Sequence, residues 1–331
     1  MRVCVVGAGA IGGFIGTRLA ACGHADVSAL ARDSVLEALQ RHGWRLRQDG
    51  RLLQAPARAA ARPEELGVQD LVVIAVKGPA LTAAARSIGP LLGAGTLVMP
   101  AMNGVPWWFA AGVPGWSGAP LQSVDPGGAV GAAVPLERVV GCVVHASASV
   151  PEPGLVQHNM GRRLIVGEPA GGRSERVQRV ADLLEAAGFE TEHSSDVRYE
   201  IWYKLWGNMT MNPVSAITGA TSDRVLADPL VRAFSSAAMR EAAAIGARLG
   251  CPVRQSPEDR HAVTAKLGAF KTSMLQDVEA GRAIELDAIV GVVRELGQRV
   301  GVATPCIDAL FGLARLFGSV RGLYTAPAQC E

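Results

Sequence analysis

Long apolar runs are missing from this chain. The longest, such as residues 71–76, fall far short of the roughly 20 residues that a membrane-spanning helix needs. An excess of charge is missing as well. The formal net charge is +2 over 331 residues and the basic residues are scattered. Neither a nucleic acid nor an acidic membrane surface is therefore expected as a partner. The six cysteines, Cys4, Cys22, Cys142, Cys251, Cys306 and Cys330, contain no CxxC pair and no metal-like spacing. Reduced thiols in a cytoplasmic protein are therefore favoured over a disulfide framework, and no metal is expected. Met1 leads almost at once into apolar residues, which leaves no room for a signal peptide. What is present is a globular composition, 49% hydrophobic and 19% charged. The length is too great for one ordinary core, so two domains are expected.

The chain is organised around its first residues. Residues 1–6 include Val3, Cys4, Val5 and Val6 and read as a strand. Gly7-Ala8-Gly9-Ala10-Ile11-Gly12-Gly13 follows, and then apolar residues at helical spacing, Ile15, Leu19 and Ala20. In a strand–GxGxxG–helix unit each glycine has a reason. Gly7 allows the sharp turn, Gly9 lets the backbone approach a pyrophosphate, and Gly12 lets the helix pack closely on the strand. The helix N-terminus offers free N–H groups and a positive dipole end to phosphates. The context, at the end of a strand and the start of a helix, makes this a dinucleotide cradle rather than a structural turn. Ala8, Ala10 and Ile11 complete it.

Residues 26–31 read as the second strand of the unit, with Arg32 and Asp33 at its end. About twenty residues beyond the glycines, an acid binds a ribose 2′-hydroxyl in an NAD enzyme, whereas a guanidinium suits a 2′-phosphate. Arg32 comes first, which favours NADP, and Asp33 keeps NAD as the weaker option. Residues 44–57, with Gln48-Asp49-Gly50-Arg51 at their centre, read as a hairpin. Residues 70–76 are a buried strand that ends at Lys77, and 96–100 are another that ends before Asn103-Gly104. Open α/β sheets bind ligands at such carboxyl ends. Trp107, Trp108 and Trp116 lie in a loop running to about Gly128 that reads equally as a small core of its own or as a lid. Residues 141–150, 154–158, 163–166 and 190–193 read as strands that depart from a pure βαβ pattern, with His158 structural. Residues 173–187 form an amphipathic helix. From 197 to 317 the periodicity is helical throughout. The expected domains are 1–195 and 196–331, with Asp196 as an N-cap.

The second constellation lies in Trp202-Tyr203-Lys204-Leu205-Trp206-Gly207-Asn208-Met209-Thr210-Met211-Asn212-Pro213. Lys204, Asn208 and Asn212 fall at i, i+4 and i+8, so one helix face presents an ammonium and two amides among apolar and aromatic neighbours. A lysine removed from water must be paired or have its pKa lowered, and a lowered pKa suits a proton donor near neutral pH. A carboxyl partner is expected in the same helical region, with Glu285 the candidate. Lys271-Thr272-Ser273-Met274-Leu275-Gln276-Asp277 supplies hydroxyls that could hold a substrate carboxylate.

With these residues in place the chain resembles the ketopantoate reductase family (2-dehydropantoate 2-reductases) over nearly its whole length. The resemblance rests on Gly7-x-Gly9-x-x-Gly12, Lys77, Asn103-Gly104, Lys204-x-x-x-Asn208-x-x-x-Asn212-Pro213, the Ser273 segment and Glu285-x-Asp287. It implies an α/β Rossmann-type dinucleotide-binding domain followed by an all-α domain like the C-terminal one of 6-phosphogluconate dehydrogenase. It implies NADPH-dependent reduction of 2-dehydropantoate to pantoate, for pantothenate biosynthesis. Lys204 matches the lysine that protonates the ketone oxygen, Glu285 the acid that orients it, and Asn103 the asparagine near nicotinamide and ketone. Asn208, Asn212 and Ser273 match substrate-binding positions. Arg32 and Lys77 match positions near the adenosine phosphate. A small-molecule keto acid is the expected partner, with the protein a monomer or homodimer. Met102, the Trp107–Trp108 loop and Val290 depart from the family pattern. They leave the reaction type alone and bear on the substrate. A reductase of a bulkier keto acid is thus the first alternative, and a non-catalytic NADP-binding sensor the second.

Arg32→Ala is expected to raise the Michaelis constant for NADPH, because a charge-assisted contact to phosphate contributes about 1.5–3 kcal/mol. The constant for NADH should stay nearly unchanged; equal losses with both cofactors, measured by steady-state kinetics, would sink the assignment.

Overall fold

A computed structural model describes residues 1–113, 115–116 and 118–326. The chain divides into two compact units, Met1–Met102 with Ala129–Glu200, and Asn103–Gly128 with Ile201–Glu331. A single cut after residue 195 therefore misses one excursion: Asn103–Gly128 clusters with the helical half of the chain.

The first unit begins with β1 (Arg2–Val6), α1 (Ala10–Cys22), β2 (Asp26–Leu30) and α2 (Asp33–His42). A hairpin follows, β3 (Trp44–Gln48) and β4 (Arg51–Ala55), closed by Asp49 and Gly50 at φ 50° and 73°. Two successive positive φ values are the signature of the tight turn that matches strand twist. Then come β5 (Arg58–Ala60), β6 (Gln69–Ile74), α3 (Gly78–Ser87) and β7 (Leu92–Pro100). After the excursion the unit resumes with α4 (Ala129–Ala133), β8 (Gly141–Glu152), β9 (Leu155–Gly167), α5 (Glu175–Ala186) and β10 (Glu190–Ser194).

Five of these strands form a parallel sheet in the order β5-β2-β1-β6-β7, a Rossmann-type arrangement. The remaining strands form a second sheet, β10-β9-β3-β4 with β8 paired to β9. The strands that depart from the βαβ pattern thus form a separate sheet. The two short strands expected at 154–158 and 163–166 are one strand, β9. It is bulged where Gly161 adopts φ +71°, and a Cβ there would lie 2.5 Å from the His145 carbonyl oxygen. Strand β5 at the sheet edge has no clear signal in Arg58-Ala59-Ala60, because pairing with β2 and not propensity makes it a strand. His158 stacks on Phe14 at 4.9 Å and its Nε2 lies 2.7 Å from the Gly161 oxygen, so it is held locally.

Helix α1 is buried on several sides at once. A Cβ on Gly12 would meet the Gly7 carbonyl, one on Gly13 the Val156 side chain of β9, and one on Gly16 the Trp44 ring of β3. Trp44 is itself 1% exposed. Small residues at these three positions let strands of both sheets approach the helix closely, and the core of the unit gathers around it.

The second unit is helical, with no strand among the described residues. Its elements are α6 (Val197–Thr218), whose residues from Ile201 on belong to it, α7 (Ser222–Ala227), α8 (Pro229–Arg248), α9 (Pro257–Ala265) and α10 (Ser273–Glu279). A π-helical turn, Asp287–Gly291, leads into α11 (Val292–Val300), and α12 (Pro305–Val320) follows. The Asp196 carboxylate accepts the Tyr199 N–H at 3.0 Å and caps α6. Asp228 caps α8, and Ser256 with Asp259 forms a capping box on α9.

The tryptophan loop is a packed part of this unit. Trp107, Trp108 and Phe109 are buried, and Phe109 stacks on Trp202 with centroids 5.8 Å apart. The Glu295 carboxylate accepts N–H groups from Gln122 and Ser123 at 2.9 and 2.8 Å. Arg299 binds Glu295 and lies over the Trp116 ring. Of the two readings of this loop, the small core is the one observed. No helix among the described residues is long and apolar enough to cross a membrane. Cys4, Cys22, Cys142, Cys251 and Cys306 are free thiols, and Cys330 lies outside the described residues.

At the end of β9, Glu168 is held by Arg176, whose Nε donates to its Oε1 at 2.6 Å, and by Ser174. The Arg176 hydrogen bond keeps the Glu168 carboxyl below the usual carboxylate range. A depressed acid contributes stability above its unfolded pKa, about 4.3, and loses it as pH falls through the folded value. Glu168→Gln should therefore cost about 1.5–3 kcal/mol at pH 7. The difference should shrink below pH 4, as followed by thermal unfolding across pH.

Candidate functional site

In the first unit the strand-to-helix turn has the shape of a phosphate cradle. Gly7 sits at φ +90°, and a Cβ there would lie 2.7 Å from Val76 Cγ1. A Cβ on Gly12 would lie 2.0 Å from the Gly7 carbonyl oxygen, so the helix is pressed onto the turn. Gly9 differs. It has ordinary extended dihedrals, φ −79° and ψ −154°, and a Cβ there would meet nothing within 4 Å. Gly9 therefore faces open space at the helix start, where no side chain caps α1 and no acid stands in its first turn. Free N–H groups and an uncompensated positive dipole end are what an anion needs. The residues present fit a dinucleotide pyrophosphate.

Arg32 and Asp33 stand just past β2, both exposed, Arg32 preceding α2 and Asp33 opening it. Asp33 adopts φ +48°, a conformation rare outside glycine, asparagine and aspartate. Lys77 is half-buried and extended between β6 and α3. Strands β1, β2 and β6 are parallel, so Gly7, Arg32 and Lys77 share the carboxyl edge of the sheet.

In the second unit, Lys204 and Asn103 meet although 101 positions separate them: Lys204 Nζ donates to Asn103 Oδ1 at 2.8 Å. Two features place Asn103. The Val105 N–H donates to the Ala288 carbonyl at 2.9 Å. Gly104, at φ +84°, brings its Cα so close that a Cβ would stand 2.2 Å from that same oxygen. The Asn103-Gly104-Val105 turn is thus seated on the π-helical turn, three residues beyond Glu285. Lys204 is half-buried, and its neighbours on α6 form a rigid apolar wall, with Trp202, Leu205, Trp206 and Met209 at most 3% exposed. The Trp206 indole N–H donates to the Met239 carbonyl and fixes that ring.

Asn208 is half-buried one turn along the same face. Asn212 is 5% exposed, and its Nδ2 has no hydrogen-bond partner among the described residues. A buried amide N–H left unpaired costs about 1–3 kcal/mol. Ser273 is not mid-helix: it is the exposed first residue of α10, and buried Thr272 is the cap, accepting from the Leu275 N–H. Glu285 is half-buried, two residues before the π-helical turn opens at Asp287. Sequence reasoning missed that turn, the Ala288 carbonyl as a seat, and the bond from the Tyr324 hydroxyl to Asp287 Oδ1 at 2.9 Å. The one available signal was Gly104 behind Asn103, a position that tolerates no side chain.

A glycine-cradled parallel sheet, joined in sequence to a helical unit that presents an ammonium beside a neutral amide, defines a Rossmann-type dinucleotide-dependent oxidoreductase. Residues 3–108 match the family profile "Ketopantoate reductase PanE/ApbA", and residues 196–317 match "Ketopantoate reductase PanE/ApbA C terminal". The chain belongs to the ketopantoate reductase family. It is 46% identical to a 2-dehydropantoate 2-reductase of Mesorhizobium japonicum, covering 98% of this chain and 100% of that one. The crystal structure of a candidate ketopantoate reductase from Ralstonia solanacearum MolK2 superposes with a TM-score of 0.94 at 55% identity, over 98% of this chain and 99% of that one. A D-mandelate dehydrogenase, solved with NADH and anilino(oxo)acetate, shares the fold at 21% identity and a TM-score of 0.84, over 98% and 100% of the two chains.

The glycines separate into two kinds of test. Gly12→Ala should lower the thermal midpoint sharply, since backbone on both sides must move. Gly9→Ala should leave the midpoint nearly unchanged and weaken dinucleotide binding at least tenfold by fluorescence titration, because its methyl group would occupy the open space.

Proposed function

We propose that this chain reduces 2-dehydropantoate to pantoate with NADPH, serving pantothenate biosynthesis, with Lys204 as the general acid. The observation that carries the reading is the 2.8 Å bond between Lys204 Nζ and Asn103 Oδ1. An amide oxygen is a neutral acceptor. Its hydrogen bond aims the ammonium and adds no charge of its own.

The nicotinamide, when bound, supplies hydride to the carbonyl carbon. Gly7, Ala8, Gly9, Ala10, Ile11 and Gly12 would hold the pyrophosphate, and Arg32 and Lys77 the adenosine phosphate end. Negative charge then grows on the ketone oxygen. Lys204 stabilises that charge and delivers its proton there, an interaction much stronger in the transition state than with the neutral ketone. Asn103 orients Lys204 and, through its amide N–H, can donate to the same oxygen. Glu285 orients the lysine and the substrate. Asn208, Asn212 and Ser273 hold the acid's polar groups, and a ligand oxygen would satisfy the orphan Asn212 N–H. Trp107 and Trp108, which would line a larger substrate pocket, are only 8% and 3% exposed. That favours the small branched keto acid over a bulkier one.

The test is single-turnover reduction by Lys204→Ala at saturating NADPH and 2-dehydropantoate. Loss of a general acid should slow the step about 10²–10⁴-fold with NADPH binding unchanged. Lys204→Arg should rescue poorly, because a guanidinium does not release its proton near neutral pH. A rate within a few-fold of the parent would remove Lys204 from the chemistry. Parallel assays with NADH and with a 2-keto acid carrying a larger apolar group test the cofactor and substrate choices.

A further inference from the structure

Glu285 lies in an irregular stretch, 282–285, with no helix to hold it. One short piece of chain beyond α12 does so from both sides. Before Glu285, the Ile284 N–H donates to the Leu323 carbonyl at 2.9 Å. After it, the Tyr324 hydroxyl donates to Asp287 Oδ1 at 2.9 Å. The piece is itself anchored: the Leu323 N–H donates to the Gly318 carbonyl at 2.8 Å, and Leu323 is 6% exposed. Gly318 makes room for the piece, and Gly291 for the Asp287 carboxylate. A Cβ on Gly318 would lie 2.7 Å from Tyr324 Cβ and 3.0 Å from Ile284 Cδ1, and one on Gly291 would lie 3.1 Å from Asp287 Oδ1.

Asp287 opens the π-helical turn, and the next residue carries the carbonyl that receives Val105. A contact at Asp287 therefore reaches the Asn103 turn through Ala288, and the segment of Glu285 two residues before. Burial pushes the Asp287 carboxyl up, and burial together with Asp287 pushes the Tyr324 phenol up. The phenol thus remains a protonated donor.

We propose that Tyr324 is a positioning residue for the reaction, holding Glu285 and the Asn103 turn in register with Lys204 through Asp287. This rests on the reading of Glu285 as the acid that orients the lysine. Tyr324 touches neither substrate nor cofactor in this scheme. A plain structural contact would affect stability alone, whereas a positioning contact affects turnover through Glu285. One lost hydrogen bond that leaves the catalytic groups misaligned should change turnover about tenfold.

The experiment compares Tyr324→Phe, Glu285→Gln and the double variant in steady-state reduction of 2-dehydropantoate, with Asp287→Ala as a second route to the same contact. Tyr324→Phe removes one oxygen and keeps the ring. It should lower kcat about tenfold, leave the Michaelis constant for NADPH unchanged, and shift the thermal midpoint by only a few degrees. Asp287→Ala should reproduce the kcat loss. In the Glu285→Gln background, Tyr324→Phe should have almost no further effect on kcat, because its route to the chemistry is already cut. The proposal is overturned if Tyr324→Phe leaves kcat unchanged, or if its full loss persists in the Glu285→Gln background. If Glu285→Gln alone is as active as the parent, the role of Glu285 fails, and this inference fails with it.

Discussion

One carbonyl oxygen, that of Ala288, seats the Asn103-Gly104-Val105 turn in the helical unit. It accepts the Val105 N–H and is packed so tightly against Gly104 that no side chain fits between them. The consequence is positional. A turn that follows strand β7 in sequence is fixed in the helical unit, and its Asn103 is delivered to Lys204. The π-helical turn that exposes this carbonyl also carries Asp287, so a single irregular turn joins the lysine, its amide partner and the segment of Glu285. Such one-turn insertions are frequent at functional sites because they re-aim backbone groups that a regular helix would consume internally.

The dinucleotide half depends on a different constraint, close backbone approach without side chains. Gly12 lies against the Gly7 carbonyl, Gly13 against Val156 and Gly16 against Trp44. A helix wrapped on several sides cannot carry a polar face, and α1 has none: Gly12 to Thr17 and Leu19 are all buried. At its N-terminus the backbone opens outward, at Gly9. The same glycines that let the helix sink into the core leave its positive end uncapped for an anion.

The polar groups are handled in opposite ways in the two units. In the first, Glu168 and Arg176 form a tight ion pair that holds the loop between β9 and α5. In the second, the lysine of the site is bonded to a neutral amide, and buried Asn212 keeps an unpaired N–H. A structural ion pair saturates its charges, whereas a buried amide N–H without a partner among the described residues leaves a donor available.

Local chemistry made much of the protein legible. The strand–glycine–helix start, the Asp49-Gly50 hairpin, the Asp196 cap and the helical character beyond residue 197 all rest on short-range rules, and the structure contains each of them. The i, i+4, i+8 face of Lys204, Asn208 and Asn212 rests on helix geometry alone. Other features depend on what a segment packs against. Arg58-Ala59-Ala60 is a strand because β2 offers it an edge, and β8, β9 and β3 form a second sheet because pairing, not propensity, decides strand partners. The tryptophans of residues 107–116 could have been core or lid until Phe109 met Trp202 and Glu295 met the loop's N–H groups. Residue types and spacing were enough for the family, the helix faces and the glycine cradle, because these are properties of a few consecutive residues. That Asn103 joins the helical unit, that Ala288 seats it, and that Tyr324 reaches Asp287 were decided by tertiary structure, since contacts spanning 37 positions and more leave no periodic trace in the chain.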